Sequence, residues 1–149
     1  MKPTSSLTLA ASLLLSLLLA SGCSTQPVSA GAASASASSG PSVAFVEPRD
    51  GATVTSPFTV KFGVTGMQVQ PAGTFAPDTG HHHLLVNAED IPSMGTIPAD
   101  ATHLHFGKAQ TETVLTLPPG KYKLTMQFGN GYHQAYGPAM NKSINVTVQ

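Results

Sequence analysis

Beyond its first forty residues the chain alternates between apolar and polar positions with a period of two. Phe58, Val60, Phe62 and Val64 interleave with Thr59, Lys61, Gly63 and Thr65, the pattern of a strand with one apolar face. Tyr122, Leu124, Met126 and Phe128 interleave with Lys121, Lys123, Thr125 and Gln127, and Ile144, Val146 and Val148 with Asn145, Thr147 and Gln149. Shorter runs predict further strands over 43–46, 82–87, 103–106 and 111–117. Pro48-Arg49-Asp50-Gly51 and Pro118-Pro119-Gly120 mark turns between them. Pro57 stands just before its strand, where a missing backbone donor does little harm. No 3.6-residue period is present in this part of the chain. About seven strands with turn signals at roughly ten-residue intervals predict an all-β fold, an antiparallel β-sandwich of immunoglobulin type. Tyr122 then falls at the corner where such sandwiches carry a tyrosine, which gives it a core role.

The residues before this pattern are of another kind. Lys2 supplies a minimal positive start, and residues 7–20 form an apolar run broken only by Thr8, Ser12 and Ser16. A membrane-spanning helix needs roughly 20 apolar residues, so the run has the length of a signal-peptide core. It leads into Leu19-Ala20-Ser21-Gly22-Cys23, which resembles the lipobox of bacterial lipoproteins, with Leu19 one place further from the cysteine than usual. The resemblance implies a signal peptide over 1–22 and a diacylated Cys23 that anchors the mature chain to a membrane. Ser24, rather than Asp, implies sorting to the outer membrane, facing the periplasm, in a double-membraned bacterium. Residues 23–41 are mostly Ala, Ser and Gly and contain no large hydrophobe beyond Val28. They cannot bury enough surface to offset their ordering entropy, and read as a flexible tether. The folded domain is expected over 42–149, long enough for a single core.

Composition removes several functions. Cys23 is the chain's single cysteine, so the domain has neither a disulfide nor a thiolate metal site. Charged residues are 9% of the chain, against roughly 25% in an average soluble protein. With Lys2 removed the mature chain is one unit negative, and no basic surface exists to hold nucleic acid.

The chemistry lies in the histidines, of which the chain has six. Five fall in two short runs, His81-His82-His83 and His103-Leu104-His105. Alternate residues of a strand share a face at roughly 6.6 Å spacing. His103 and His105 therefore point the same way. In the first run Leu84 and Val86 form a core face that carries His82, which leaves His81 and His83 on the other face with Leu85. If the two strands are neighbours at roughly 4.8 Å, His81, His83, His103 and His105 converge on one patch. Imidazole is the commonest metal ligand, and without thiolates such a patch suits Zn or Cu, with Ni behind them. His133, in a loop rich in Gly and Tyr, is a spare ligand if that loop folds back. Asp78, Glu89, Asp90, Asp100 and Glu112 are possible carboxylate partners. Met94 and Met140 could offer thioether sulfur, whereas Met126 belongs to the core. The other reading of the same residues is a hydrogen-bonded network that braces the sandwich, in a module that docks an envelope protein partner and binds no metal. No paired carboxylate or Ser/His/Asp arrangement supports catalysis, so no enzyme is expected.

Several motifs together carry a family resemblance. They are Glu47-Pro48-Arg49-Asp50-Gly51-Ala52, Gly66-Met67, Thr79-Gly80-His81-His82-His83-Leu84-Leu85, Ile97-Pro98-Ala99-Asp100 and His103-Leu104-His105-Phe106-Gly107. Gln110-Thr111-Glu112-Thr113 and Leu117-Pro118-Pro119-Gly120 complete the set. Residues 43–149 thus resemble a bacterial domain family of unknown function found in exported proteins and lipoproteins. The resemblance implies no activity. The opening segment also resembles the start of periplasmic copper-resistance domains of immunoglobulin type. Those carry a ligand histidine at the mature N-terminus, where this chain has Cys23 and the tether.

Overall fold

The computed structural model describes residues 40–149. The expected signal peptide, Cys23 and nearly all of the tether lie outside the described residues. Two sheets face one another. One contains β1 (Ser42–Glu47), β3 (Phe58–Thr65) and β7 (Glu112–Leu115) in the order β1-β3-β7. The other runs β2-β9-β8-β5-β4, with β6 also paired to β5. Its members are β2 (Thr53–Val54), β4 (Gln68–Val69), β5 (Thr79–Val86), β6 (His103–His105), β8 (Gly120–Gly129) and β9 (Asn141–Val148). Pairing is antiparallel except for two-residue β2 beside β9 and two-residue β4 beside β5. Two packed sheets, antiparallel in all their longer pairings, with the chain crossing from one as β1 to the edge of the other as β2, form an immunoglobulin-like sandwich. The seven longer strands are those the alternation predicts.

The core lies between the sheets. Phe58, Val60 and Phe62 of β3 meet Leu84 of β5, Leu124, Met126 and Phe128 of β8, and Ile144, Val146 and Val148 of β9, all buried. The Tyr122 hydroxyl donates to the Pro118 carbonyl at 2.9 Å, closing the expected corner. Met140 is buried in this same core, so its sulfur is packing and not the free thioether expected from its loop. Met126 is core, as the alternation requires.

Two segments depart from the expected pattern. β5 starts at Thr79, inside what reads as a polar connection, and is buried on both faces. Thr125 and Gln127, on the polar side of β8, are fully buried as well. The cause is a lid formed by the chain between β5 and β6. Ile91 and Ile97 bring it down on Leu85 and Ala135, on the side of the large sheet away from the main core. The Gln127 amide clips the lid in place, accepting from the Ile91 N–H at 3.1 Å and donating to the Ile91 carbonyl at 2.5 Å.

Register fixes which features share an end of the sandwich. Ser42 pairs with Thr65 and His81 with Gly129. Gln68, just past the end of β3, pairs with Thr79 at the start of β5, so the start of β1, the end of β3, the start of β5 and the end of β8 lie together, opposite the Gly120–Val148 end.

Candidate metal centre

Alternation along β5 sends its three consecutive histidines to two places. His82 turns into the core, its ring 5.1 Å from that of Phe62 and 5.0 Å from that of Phe128. His81 and His83 turn the other way, beneath the lid. β6 pairs with β5 so that His105 stands opposite His83, and His103 opposite Leu85. His105 thereby joins the pair. Its ring centroid is 5.0 Å from His81 and 5.1 Å from His83.

His133 supplies a fourth ring, because its loop does fold back. The Asn130 side chain accepts from the backbone N–H groups of Tyr132 and Gln134, each at 2.9 Å. The tight turn this makes holds His133 at φ 63, a left-handed conformation that histidine tolerates better than most residues. The His133 carbonyl accepts from Ile97 of the lid at 2.8 Å. Tyr136 ties the loop to the start of β5, donating to the Thr79 carbonyl at 2.7 Å. The His133 ring then lies 4.8 Å from that of His105 and 5.0 Å from that of His81.

Nitrogen positions give the arrangement its chemistry. Nε2 of His81 and Nε2 of His83 are 3.0 Å apart, and Nε2 of His105 and Nε2 of His133 are 3.2 Å apart. His81, His105 and His133 each offer a ring nitrogen within 4.8 Å of the other two, close enough to hold one metal ion. The cluster grades from buried His81 through half-buried His133 to exposed His105, so it has a wall inside the protein and a mouth at the surface. Gly107 makes room for that mouth: a side-chain carbon there would strike the His105 ring.

Burial, then the neighbouring His105 and His133, lowers the His81 pKa to about 4. His83 is pushed further down, again first by burial and then by His81. His105 is lowered by burial and by His133. At neutral pH these three rings are uncharged and their lone pairs meet no competition from protons. Nδ1 of His81, Nδ1 of His83 and both ring nitrogens of His82 have no hydrogen-bond partner.

Of the four histidines the sequence points to, His81, His83 and His105 come together and His103 does not. Opposite Leu85, it lies one alternate position further along the strand, and a carboxylate occupies it. Its Nδ1 is 2.9 Å from Asp100 Oδ1, which also accepts from the backbone N–H groups of Thr102 and His103. The His103 contact and the Thr102 bonds hold the Asp100 carboxyl well below the usual carboxylate range. Among the other candidate carboxylates, Asp90 accepts from Asn141, Glu89 stands 4.0 Å from Lys123, and Glu112 is in the opposite sheet, across from Lys61 in the strand register. Met94 is exposed at 63%.

These features define an immunoglobulin-like β-sandwich with an imidazole cluster on one face of its larger sheet. Residues 60–149 match the family described as Domain of unknown function (DUF4399), and the chain belongs to that family. The match begins inside β3 and takes in every histidine of the chain. No match was found among curated proteins or among solved structures.

Proposed function

We propose that this protein is a lipid-anchored component of the cell envelope, held through Cys23 on the periplasmic side of the outer membrane. It binds one transition-metal ion, Zn or Cu, through His81, His105 and His133, with His83 as the adjoining fourth imidazole, and it is not a catalyst. One observation carries the metal reading: the Nε2 atoms approach in pairs at 3.0 and 3.2 Å. Two nitrogens at about 2.0–2.1 Å from a tetrahedral ion are about 3.3–3.4 Å apart, close to both separations, and His81, His105 and His133 already bring ring nitrogens within 4.8 Å of one another. Cluster chemistry points the same way, since neutral imidazoles without thiolate or carboxylate suit Zn and Cu better than Mg or Ca. The 3.0 Å contact is also a hydrogen-bond length, and the alternative of a structural histidine network in a protein-docking module rests on it.

Full-length protein stripped with chelator and titrated with Zn²⁺ and with Cu²⁺ separates the two. A single ion bound at 100 times its Kd stabilises the fold by about 2.7 kcal/mol, readable as a higher thermal midpoint. Stoichiometric binding with that shift supports the metal centre. Binding no tighter than that of a scrambled polyhistidine peptide overturns it. Anchoring has its own readout: intact mass of the mature N-terminus, with Cys23→Ser moving from the membrane to the soluble fraction.

A further inference from the structure

We propose that the end of the sandwich bearing the histidine cluster rests on a lipid bilayer, with Phe75 and Tyr132 set into the headgroup region. The inference builds on the anchored reading above, which is what brings the domain to a bilayer. Phe75 and Tyr132 are 61% and 63% exposed, and their rings stack on each other at 4.2 Å with 24° between planes. They are held there by construction. Gly73 donates to the Gly131 carbonyl at 3.1 Å, and Gly131 packs so closely on the Thr74 carbonyl that no side chain fits. Two loops, joined through their backbones, thus present a stacked aromatic pair to solvent.

Three further observations select a bilayer as the occupant. Residues 66–77 and 129–141, which form this end, contain no charged residue. Asp78, Lys108 and Lys142 stand at the adjoining strand ends and turn, and Asp90 reaches the margin of this end, where it accepts from Asn141 at 2.8 Å. Around the opposite end the sequence places Arg49, Asp50, Glu89, Lys121 and Lys123. Aromatic rings on an uncharged surface favour the membrane–water interface, where an apolar ring and a polar hydroxyl both find partners. Finally, the chain enters the domain here. Pro41 packs against Gly66 beside the Ser42–Thr65 pair, so the segment leading back to Cys23 leaves from the same end. Two aromatic rings bind a bilayer weakly on their own. A lipid attached through a short segment raises the local concentration of bilayer and makes weak insertion sufficient. The contact turns the exposed ligand His105 toward the membrane: the Gly107 carbonyl beside it accepts from Ala72 at 3.1 Å, in the loop that carries Phe75.

The chain contains no tryptophan, so one introduced indole reports its own position. Full-length lipidated protein carrying Phe75→Trp, Tyr132→Trp or Val114→Trp is reconstituted on phosphatidylcholine vesicles with brominated acyl chains. Val114 is exposed on β7, in the other sheet, and paired with Thr59 near the start of β3. The expected result is blue-shifted emission at 75 and 132, quenched several-fold more than at 114. Equal, weak quenching at all three positions in protein that floats with the vesicles overturns the docking and leaves anchoring intact. Protein that does not float with the vesicles overturns anchoring and this inference together. In both cases metal stoichiometry is read separately, and Phe75→Ser with Tyr132→Ser is expected to leave it unchanged.

Discussion

β5 offers a comparison within a single strand. His82 and its neighbours His81 and His83 are equally buried, yet they live in different chemistry. The inner face gives His82 two phenylalanine rings and no polar partner, so burial and then the His81 charge lower its pKa to about 4. The outer face gives His81 and His83 two more imidazoles and a route to solvent through His105. Burial alone does not make a site. A site needs several donors facing one point, and alternation along the strand decides which residues contribute. Proton affinity is lowered on both faces, but only on the outer one can a metal take the proton's place.

The largest effect should follow from dismantling the outer face. Loss of an outer-shell partner of a metal ligand typically costs 10–100-fold in affinity, and removing ligands themselves costs more. His105→Ala combined with His133→Ala should therefore weaken metal binding by more than about 100-fold. Calorimetric titration reads the change, and the thermal midpoint without metal should stay close to that of the parent, because both rings lie toward the surface. A double variant that still binds with parental affinity removes the outer face from consideration.

Acid sharpens the other half of the comparison. A histidine whose folded pKa lies below its ordinary value of 6.5 favours the fold above pH 6.5. That stability is lost as the pH falls from 6.5 toward about 4, since the unfolded chain binds the proton first. For His82 the span is worth about 3 kcal/mol. His82→Leu should flatten the fall in thermal midpoint between pH 6.5 and 4 and leave metal affinity within about twofold of the parent. Bound metal should protect His81 and His83 from the same protonation, because the ion occupies their lone pairs, but it cannot protect His82. If saturating metal removes the whole acid sensitivity of the parent, the inner face contributes nothing to it.

How much of this could be read from the sequence follows the range of each interaction. The two faces of β5, the sandwich and the Tyr122 corner depend on period-2 alternation and a local turn, and all were legible. Convergence of His105 with His81 and His83 also needed the pairing of two strands, which residue spacing allowed but did not decide. His133 was legible only as a possibility, because its place depends on how a loop returns to the sheet. Asn130-Gly131 just before it was the available sign of the turn. Gln127 read as a solvent-facing position because nothing nearby in sequence announces the lid. Ile91 and Ile97, apolar in what reads as a loop, were the sign that something would be covered.

A smaller effect is expected at the mouth of the cluster. Gly107→Ala puts a carbon against the His105 ring, and the ring can rotate away more easily than the backbone can move. The fold should persist with an unchanged far-ultraviolet spectrum. Metal affinity should fall by about tenfold, the lower end of what a displaced ligand's supporting contacts cost. Restoring the ring's freedom with His105→Asn on the same background should not recover binding, because the lost nitrogen is the point.

The smallest effect should come from His103, and it is the sharpest test of register. His103 and His105 differ by one alternation step, share a face, and look identical in a His-X-His pattern. In the structure the step is decisive: His105 lies opposite His83, whereas His103 lies opposite Leu85 with its Nδ1 on Asp100. His103→Ala should leave metal affinity within about twofold, the scale of an ordinary substitution near the surface. What it should disturb is the turn before β6, since Asp100 loses one of the partners that hold it ionised. The Asp100 carboxyl should then titrate at higher pH, visible in its carbon resonance. If His103→Ala instead abolishes metal binding as His105→Ala does, β6 pairs with β5 one step away from the register described, and the cluster is built from His103 rather than His133.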